Sequence, residues 1–361
     1  MPENLNLMYC SFGCYCYLEQ GAERVRVMRS KKALLVKLTI ALVMAMSPLH
    51  SLAENKKIDV SPTKSFKRSL HFPSDKSIGM ILIGNERAVF GSLHPYVQVS
   101  GAVGDVVVDV PTGQRVVFEA NRRVWENPSC LDQVSAKGID CIRLTFVSLY
   151  DEEDDLSSKP LAHMAHFQTL KEIDLTRADI VDASLSKLKN VRSLEGLGLQ
   201  LSAINGSCFE QLAALPNLRG LWAQDCSLDQ KNLRFLSRWP KLEELDLSRT
   251  HLTEAGTQYL AKCTGLKTLS ICSNAKFDDK CLGFISELKN LEMLKVPGTA
   301  ITLEGLKHLQ KLHLRLLLVP ASMTKDQSEL ARLFPHTTII CDSVRKQIDS
   351  DVMRTYAPLR H

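Results

Sequence analysis

Leucine recurs in this chain at a period that leaves few folds open to it. The pattern Leu-x-x-Leu-x-Leu, with other small or aliphatic residues in places, reads Leu170/Ile173/Leu175, Leu194/Leu197/Leu199, Leu218/Leu221/Ala223 and Leu242/Leu245/Leu247. It continues as Leu266/Leu269/Ile271, Leu291/Leu294/Val296 and Leu314/Leu317/Val319. The spacings between starts are 24, 24, 24, 24, 25 and 23 residues. A repeat this short cannot bury an apolar face alone, so the units must stack into a continuous core.

The rest of each unit keeps register. A further apolar residue follows at Ile180, Ile204, Leu228, Leu252, Phe277 and Ile301. Apolar triplets spaced by three come next: Leu185/Leu188/Val191, Phe209/Leu212/Leu215, Leu233/Leu236/Trp239, Leu282/Ile285/Leu288 and Leu306/Leu309/Leu312. That spacing puts three side chains on one face of a short α or 3₁₀ helix. Asp182, Asp229, Thr253 and Asp278 stand where a helix N-cap is expected. Each unit therefore reads as strand, turn and short helix. Stacking lines the strands into a curved parallel sheet, with the wider helices outside.

These units resemble leucine-rich repeats. The segment Thr250-His-Leu-Thr-Glu-Ala-Gly256 is similar to the 24-residue type common in secreted bacterial proteins. The resemblance covers about residues 140–341 and implies protein binding through the concave face, although a fold alone does not fix a function. Many such repeats carry Asn after the strand, where its side chain bonds neighbouring backbones. That column reads Ala178, Ser202, Cys226, Thr250, Asn274 and Thr299 here, which predicts a looser ladder at the turns.

Four segments are expected in the α/β chain. Residues 1–53 read as a leader with a secretory signal: Arg29, Lys31, Lys32 and Lys37 precede the apolar run Leu38–Met46, and Ser51-Leu-Ala53 offers small residues for cleavage. The run is short for a membrane span, and no Cys follows to carry a lipid. Residues 1–27 fit poorly upstream of such a signal, so either Met28 is the start or the leader is unusually long and carries Cys10, Cys14 and Cys16. Residues 54–135 read as a small antiparallel β domain capping the solenoid, from the runs Met80–Ile83, Tyr96–Val99, Val106–Val110 and Val116–Phe118, with Pro111-Thr-Gly113 as a hairpin turn. The solenoid spans 136–341, beginning with an incomplete unit at Cys141/Leu144/Phe146 and Leu161/Met164/Phe167 and ending in a strand near 338–341. In 342–361, Val344, Ile348, Val352 and Tyr356 are spaced for a helical cap.

The formal charge of +5 exaggerates the basic balance, because beyond residue 53 there remain 39 basic and 37 acidic residues. A near-neutral chain does not suggest a nucleic acid or an anionic membrane as partner. The register names the concave face, and there Trp222 is the leading candidate for binding, flanked by Arg219, Glu243, Glu244, Asp246, Arg249, Lys267 and Lys295, with glycines 196, 198 and 220 as a flat floor beside it. Trp and Arg dominate binding hot spots. The competing reading packs Trp222 on Arg219 or Arg249, or leaves it merely exposed.

The cysteines divide by column. Cys263 falls in the helix core; Cys226 in the turn column; Cys208 and Cys281 in a column of small residues with Ser184, Asn232, Gly256 and Gly305. Cys130 and Cys141, at the cap junction, are the one pair considered for a disulfide. His163 and His166 lack a third ligand nearby, and the acidic run Asp151–Asp155 lacks the alternating ligands of a calcium loop. No metal, cofactor or enzymatic motif is expected. The expectation is an exported, monomeric module that binds a protein or peptide; the alternative is a structural or glycan-binding protein of the cell envelope.

Overall fold

The computed structural model describes residues 64–85, 96–144 and 156–341. The expected leader, the acidic run 151–155, Phe146 and the tail helix all lie outside the described residues.

Five strands form the N-terminal region: β1 (Ser65–His71), β2 (Gly79–Asn85), β3 (Val97–Gly101), β4 (Asp105–Pro111) and β5 (Gln114–Ala120). The repeats then supply β6 (Cys141–Arg143), β7 (Glu172–Asp174), β8 (Gly196–Gly198), β9 (Gly220–Trp222) and β10 (Glu244–Asp246). The last four are β11 (Thr268–Ser270), β12 (Met293–Lys295), β13 (Leu316–Val319) and β14 (Thr338–Cys341). Twelve strands share one sheet in the order β14-β13-β12-β11-β10-β9-β8-β7-β6-β5-β2-β3, while β1 and β4 pair antiparallel in a separate two-stranded sheet.

From β5 to β14 every pairing is parallel and in register, with Ile173, Leu197, Leu221, Leu245, Leu269, Leu294 and Leu317 as successive partners. The leucine columns and the helix triplets are buried in one core that runs from Leu70 to Cys341. Helices too short to stand alone are held by this packing; Trp239, for instance, stacks edge-on to Phe209 and donates its indole N–H to the Leu212 carbonyl of the preceding unit at 2.8 Å. The architecture is a leucine-rich-repeat solenoid.

Two expectations need correcting. The first unit is shifted by two residues: Ile142 pairs with Ile173, so its columns are Ile139/Ile142/Leu144, and Cys141 takes the concave position beside Glu172. The next unit starts 31 residues on, at Leu170, so the regular spacing of 23–25 does not reach this unit. The segment Pro111-Thr-Gly113 does turn the chain, with Gly113 at φ +83°, but it joins no hairpin. β4 pairs with β1, whereas β5 enters the main sheet between β2 and β6. The β-rich region is thus continuous with the solenoid sheet, and β1 is tied to it by Arg68, which donates to the Asp140 carboxylate and the Gly138 carbonyl. The buried Asp140 also accepts the Val116 N–H.

The turn after each strand repeats a backbone feature that residue types do not announce. Arg177, Leu201, Asp225, Arg249, Ser273 and Gly298 all have φ between +54° and +70°, and each stands one position before the expected asparagine column. Left-handed φ is unfavourable for residues with a Cβ, yet it aims successive N–H groups at the next unit: Arg177 to the Gln200 carbonyl, Leu201 to Gln224, Asp225 to Ser248, Arg249 to Cys272 and Ser273 to Pro297. The column itself is uneven, as its composition predicts. Asn274 accepts the N–H groups of Thr250 and Leu252 and donates to the Leu247 and Ile271 carbonyls. The Ser202 and Cys226 side chains reach back to the preceding unit, at the Leu175 and Leu199 carbonyls, while the Thr250 and Thr299 hydroxyls bond within their own.

Of the expected helix caps, Asp229 and Asp278 accept from the N–H two residues on. Asp182 instead caps the following unit, accepting from the Asn205 and Cys208 N–H groups. Gln230 and Asp279 do the same at Thr253 and Thr302. This explains the small-residue column: a Cβ on Gly256 would lie 2.2 Å from Gln230 Oε1, and one on Gly305 would collide with the Asp279 carboxylate.

Candidate functional site

Period-two alternation within each strand sends the central leucine into the core and its two neighbours onto the concave face. The sheet therefore carries two rows across it. One runs Cys141, Glu172, Gly196, Gly220, Glu244, Thr268, Met293, Leu316; the other runs Arg143, Asp174, Gly198, Trp222, Asp246, Ser270, Lys295, Leu318. A third row, one residue ahead of the strands, alternates in sign: Lys171, Glu195, Arg219, Glu243, Lys267, Glu292, Arg315.

That alternation is used. Lys171 lies 3.5 Å from Glu195, Arg219 2.7 Å and Lys267 3.2 Å from Glu243, and Arg315 3.3 Å from Glu292. Burial would push the Glu243 carboxyl up, but hydrogen bonds from Arg219 and Lys267 outweigh it and hold it below the usual range. Arg219, Glu243 and Lys267, expected as flanks of Trp222, form one three-membered ion-pair group. Arg249 belongs to the turn, where it grips Asp225 through two nitrogens.

Glu244, Asp246 and Lys295 lie on the concave face, but at 7%, 6% and 5% exposure they are buried rather than offered outward. Polar neighbours surround them. Asp246 accepts the Ser248 N–H, the Ser248 and Ser270 hydroxyls are 2.8 Å apart, and the Cys272 N–H donates to the Ser248 hydroxyl. Burial pushes the Asp246 carboxyl up and the Lys295 ammonium down.

Trp222 differs from all of these, because it is half-buried on a bare floor. A Cβ added to Gly220 would meet its ring at 2.9 Å, and one added to Gly196 would meet it at 3.0 Å. The two glycines are thus the seat beneath the indole rather than a surface beside it. Arg219 and Arg249 are turned to Glu243 and Asp225. The ring is laid across β9 and β8 toward Glu172, whose Cγ would be 3.2 Å from the same Gly196 Cβ.

The N-terminal half of the face holds residues that the repeat register could not reach. Tyr96 lies over Gly84 and packs on Leu82, Val117 and Cys141. Burial, followed by the charges around it, pushes its hydroxyl pKa well up. The Arg143 guanidinium sits 5.4 Å from the Tyr96 ring centre and is shared by Glu119 and Asp174, each at 3.1 Å. Arg115, buried on β5, reaches Glu172 at 3.2 Å and Glu195 at 3.9 Å. Tyr96 and Arg115 come from the β-rich region, which has no repeat to align them, and Arg143 from β6, the strand of the irregular first unit.

Cys130 and Cys141 are both unbonded. The bridge considered between them is not formed: Cys130 packs in the main core, while the shifted register puts Cys141 in the concave cluster with Leu82 and Val117. The remaining columns place the cysteines as expected. Cys208, Cys226, Cys263 and Cys281 are buried and unbonded, and burial keeps their thiols protonated, with Cys226 pushed up to about 11 and Cys263 to about 12. Protonated, buried thiols are poor nucleophiles. His163 faces Asp132 at 2.8 Å and His166 the Val134 carbonyl at 2.7 Å, so each imidazole has a protein partner. Among the described residues, no group of three His, Cys, Asp or Glu side chains could hold a metal, and no helix is long and apolar enough to cross a membrane.

No family model matches the chain, and no curated protein matches it. Among solved structures it is similar to internalin C2 of Listeria monocytogenes, at 18% identity and a TM-score of 0.37, covering 50% of this chain and 71% of that one. It is also similar to a second internalin of the same organism, at 15% identity and a TM-score of 0.32, covering 53% of this chain and 63% of that one.

Proposed function

We propose that this protein is an exported, non-enzymatic binding module that holds a protein or peptide partner on its concave face at Trp222. The observation that carries the reading is the half-buried indole laid on the Gly196 and Gly220 backbones. A large aromatic held in one orientation offers contact area with little further entropy to lose, which is the character of a hot-spot residue. Arg219, Glu243 and Lys267 form a charged rim on one side, and Arg249 stands at the turn. Glu244, Asp246 and Lys295 contribute through the stiffness of the floor rather than by contact. Export rests on the basic and apolar leader before Ala53, and a monomer is the expected state.

The test is capture of a partner from envelope and culture fractions by the wild-type chain and by Trp222→Ala in parallel, with circular dichroism as the folding control. A partner held by wild type and lost by a folded Trp222→Ala supports the site. A partner held equally by both overturns it. The second reading, a structural or glycan-binding envelope protein, gains from Tyr96, which adds a second aromatic to this face. Binding to a glycan array that depends on both Tyr96 and Trp222, with no protein captured, would reverse the ranking.

A further inference from the structure

The near-neutral total hides a separation of charge between the two edges of the solenoid. Where each strand turns into its helix, acids serve the fold: Asp182, Asp229, Asp278 and Asp279 accept backbone N–H groups of their own or the next unit. Where each helix returns to the next strand, the charges are basic. That turn passes through the buried column that runs from Val191 to Leu312. Exposed Lys189, Arg238, Lys262 and Lys311 stand just before the column, and exposed Arg192, Lys241 and Lys289 just after it. Strand pairing in step stacks these turns one on another. Side chains link them from unit to unit: Asn217 donates to the Arg192 carbonyl and Asn290 to the Thr264 carbonyl, each at 2.9 Å. The unit between Arg192 and Arg238 carries Pro216 and Asn217 in place of a cation, and Lys241 leans toward it, donating to Asn217 Oδ1 at 2.6 Å.

The fold does not account for this row. Cations are favoured in the last turn of a helix, yet only Lys189 and Arg238 fall inside one; the other five lie past the last helical residue. Glu210 stands 3.7 Å from Arg238 and Glu287 3.9 Å from Lys289, both acids more than half exposed, and such pairs contribute little. The glutamates of the neighbouring rim are held by Lys171, Arg219, Lys267 and Arg315. The side chains of Lys189, Arg192, Lys262 and Lys311 have no partner among the described residues. Like charges along one edge repel each other, and an anion laid along them relieves that cost.

We propose that this edge is a binding site for an acidic polysaccharide, which runs along the stack with its acid groups on the row of cations. A row one or two residues wide in each unit fits a linear polyanion rather than a plane of lipid headgroups. The positions interleaved with the cations include Ala214, Pro216, Pro240, Thr264 and Asn290. None is an aromatic on which a nucleobase could stack, and single-stranded nucleic acids rely on such platforms. The site lies on a different surface from Trp222 and does not depend on it.

The probe is polygalacturonate, with dextran as the neutral control, titrated against the full chain over a range of salt. Polygalacturonate is expected to bind with a dissociation constant that rises steeply with salt, and dextran not to bind. Lys262→Glu combined with Lys311→Glu reverses two unpartnered cations of the row and is expected to weaken binding by about tenfold or more. Lys262→Gln combined with Lys311→Gln, which disturbs the fold less, is expected to give a smaller loss. Lys276→Glu combined with Lys280→Glu changes the net charge equally on the opposite edge, and is expected to stay within about twofold of wild type. Equal losses in the two Glu pairs mean that total charge, not this row, attracts the polymer, and overturn the proposal. So does the absence of salt-dependent binding. Tighter binding of single-stranded DNA or of phosphatidylglycerol vesicles than of polygalacturonate overturns it as well, because the row then serves another class of anion.

Discussion

The turn column and the concave face run along the same stack, one unit apart at each step, yet their side chains serve different masters. In the turn column, Asn274 spends all its capacity on backbone groups of its own and the preceding unit. On the concave face, the outer charged row has side chains answering side chains: Arg219 and Lys267 answer Glu243, and Arg315 answers Glu292. A column that satisfies backbone fixes the path of the chain and tolerates little change. A face whose groups satisfy each other can be rewritten unit by unit without moving the chain, and specificity for a partner can be held there.

The strongest way to break that contrast is Asn274→Ala. It strands two buried N–H groups and removes a donor from two carbonyls, so a loss of about 3 kcal/mol is expected, below the sum of separate bonds because such losses are not additive. Thr250→Ala removes one hydroxyl from the Leu247 carbonyl, which Asn274 still serves, and should cost about 1 kcal/mol. Denaturant unfolding of the two variants measures both. Similar losses would mean that the asparagine is no keystone and that the column is as replaceable as the face.

A smaller effect separates two acids within the face by the sign of their pH dependence. Glu243 is held below the usual carboxylate range in the folded chain. Its contribution is fully present above the unfolded pKa and is lost as pH falls through the folded one, so Glu243→Gln should destabilise at neutral pH and converge on wild type in acid. Asp246 is pushed up by burial. The folded state then holds its proton more tightly than the unfolded state, and stability falls as pH rises from the unfolded toward the folded pKa. Asp246→Asn keeps an acceptor for the Ser248 N–H, removes that loss, and should equal or exceed wild-type stability at neutral pH. Thermal melts of both variants across the acid range decide it, and the same sign for the two would show that the buried and rim rows are electrostatically alike.

Much of this was legible from spacing alone. The columns from Leu170 to Val319 are buried as the period requires, and the small-residue columns fall where neighbouring units press closest. Two kinds of information escaped. The first unit runs 31 residues from Ile139 to Leu170, so the period does not set its register and strand pairing does. The seat of Trp222 was half-read: glycines 196 and 220 were visible as a floor, but the direction of the indole is a side-chain rotamer that no periodicity encodes. Tyr96, Arg115 and Arg143 converge from strands outside the repeat array or at its first unit, where there is no column to compare.

The smallest predicted effect tests the left-handed turn residue, which the sequence hid because five of its six occupants are not glycine. Leu201 holds φ +59° while 44% exposed, so its side chain gains little from burial. Leu201→Ala keeps the unfavourable dihedral, whereas Leu201→Gly relieves it at the cost of a more flexible unfolded chain. The relief of about 1–2 kcal/mol exceeds the entropic penalty of roughly 0.5–1 kcal/mol, so the glycine variant should be more stable than the alanine variant by about 0.5–1 kcal/mol. The order inverts the usual helix or strand result, in which alanine is favoured over glycine. Gly298 supplies the reciprocal experiment at the same turn position. It sits at φ +70°, and a Cβ there would stand 3.0 Å from Ser273 Oγ and 3.1 Å from Ser273 Cα, so Gly298→Ala meets both strain and crowding. If unfolding shows Leu201→Ala to be as stable as Leu201→Gly, the left-handed turn is not what aims the N–H at the next unit. The ladder would then owe its direction to the side chains of the column.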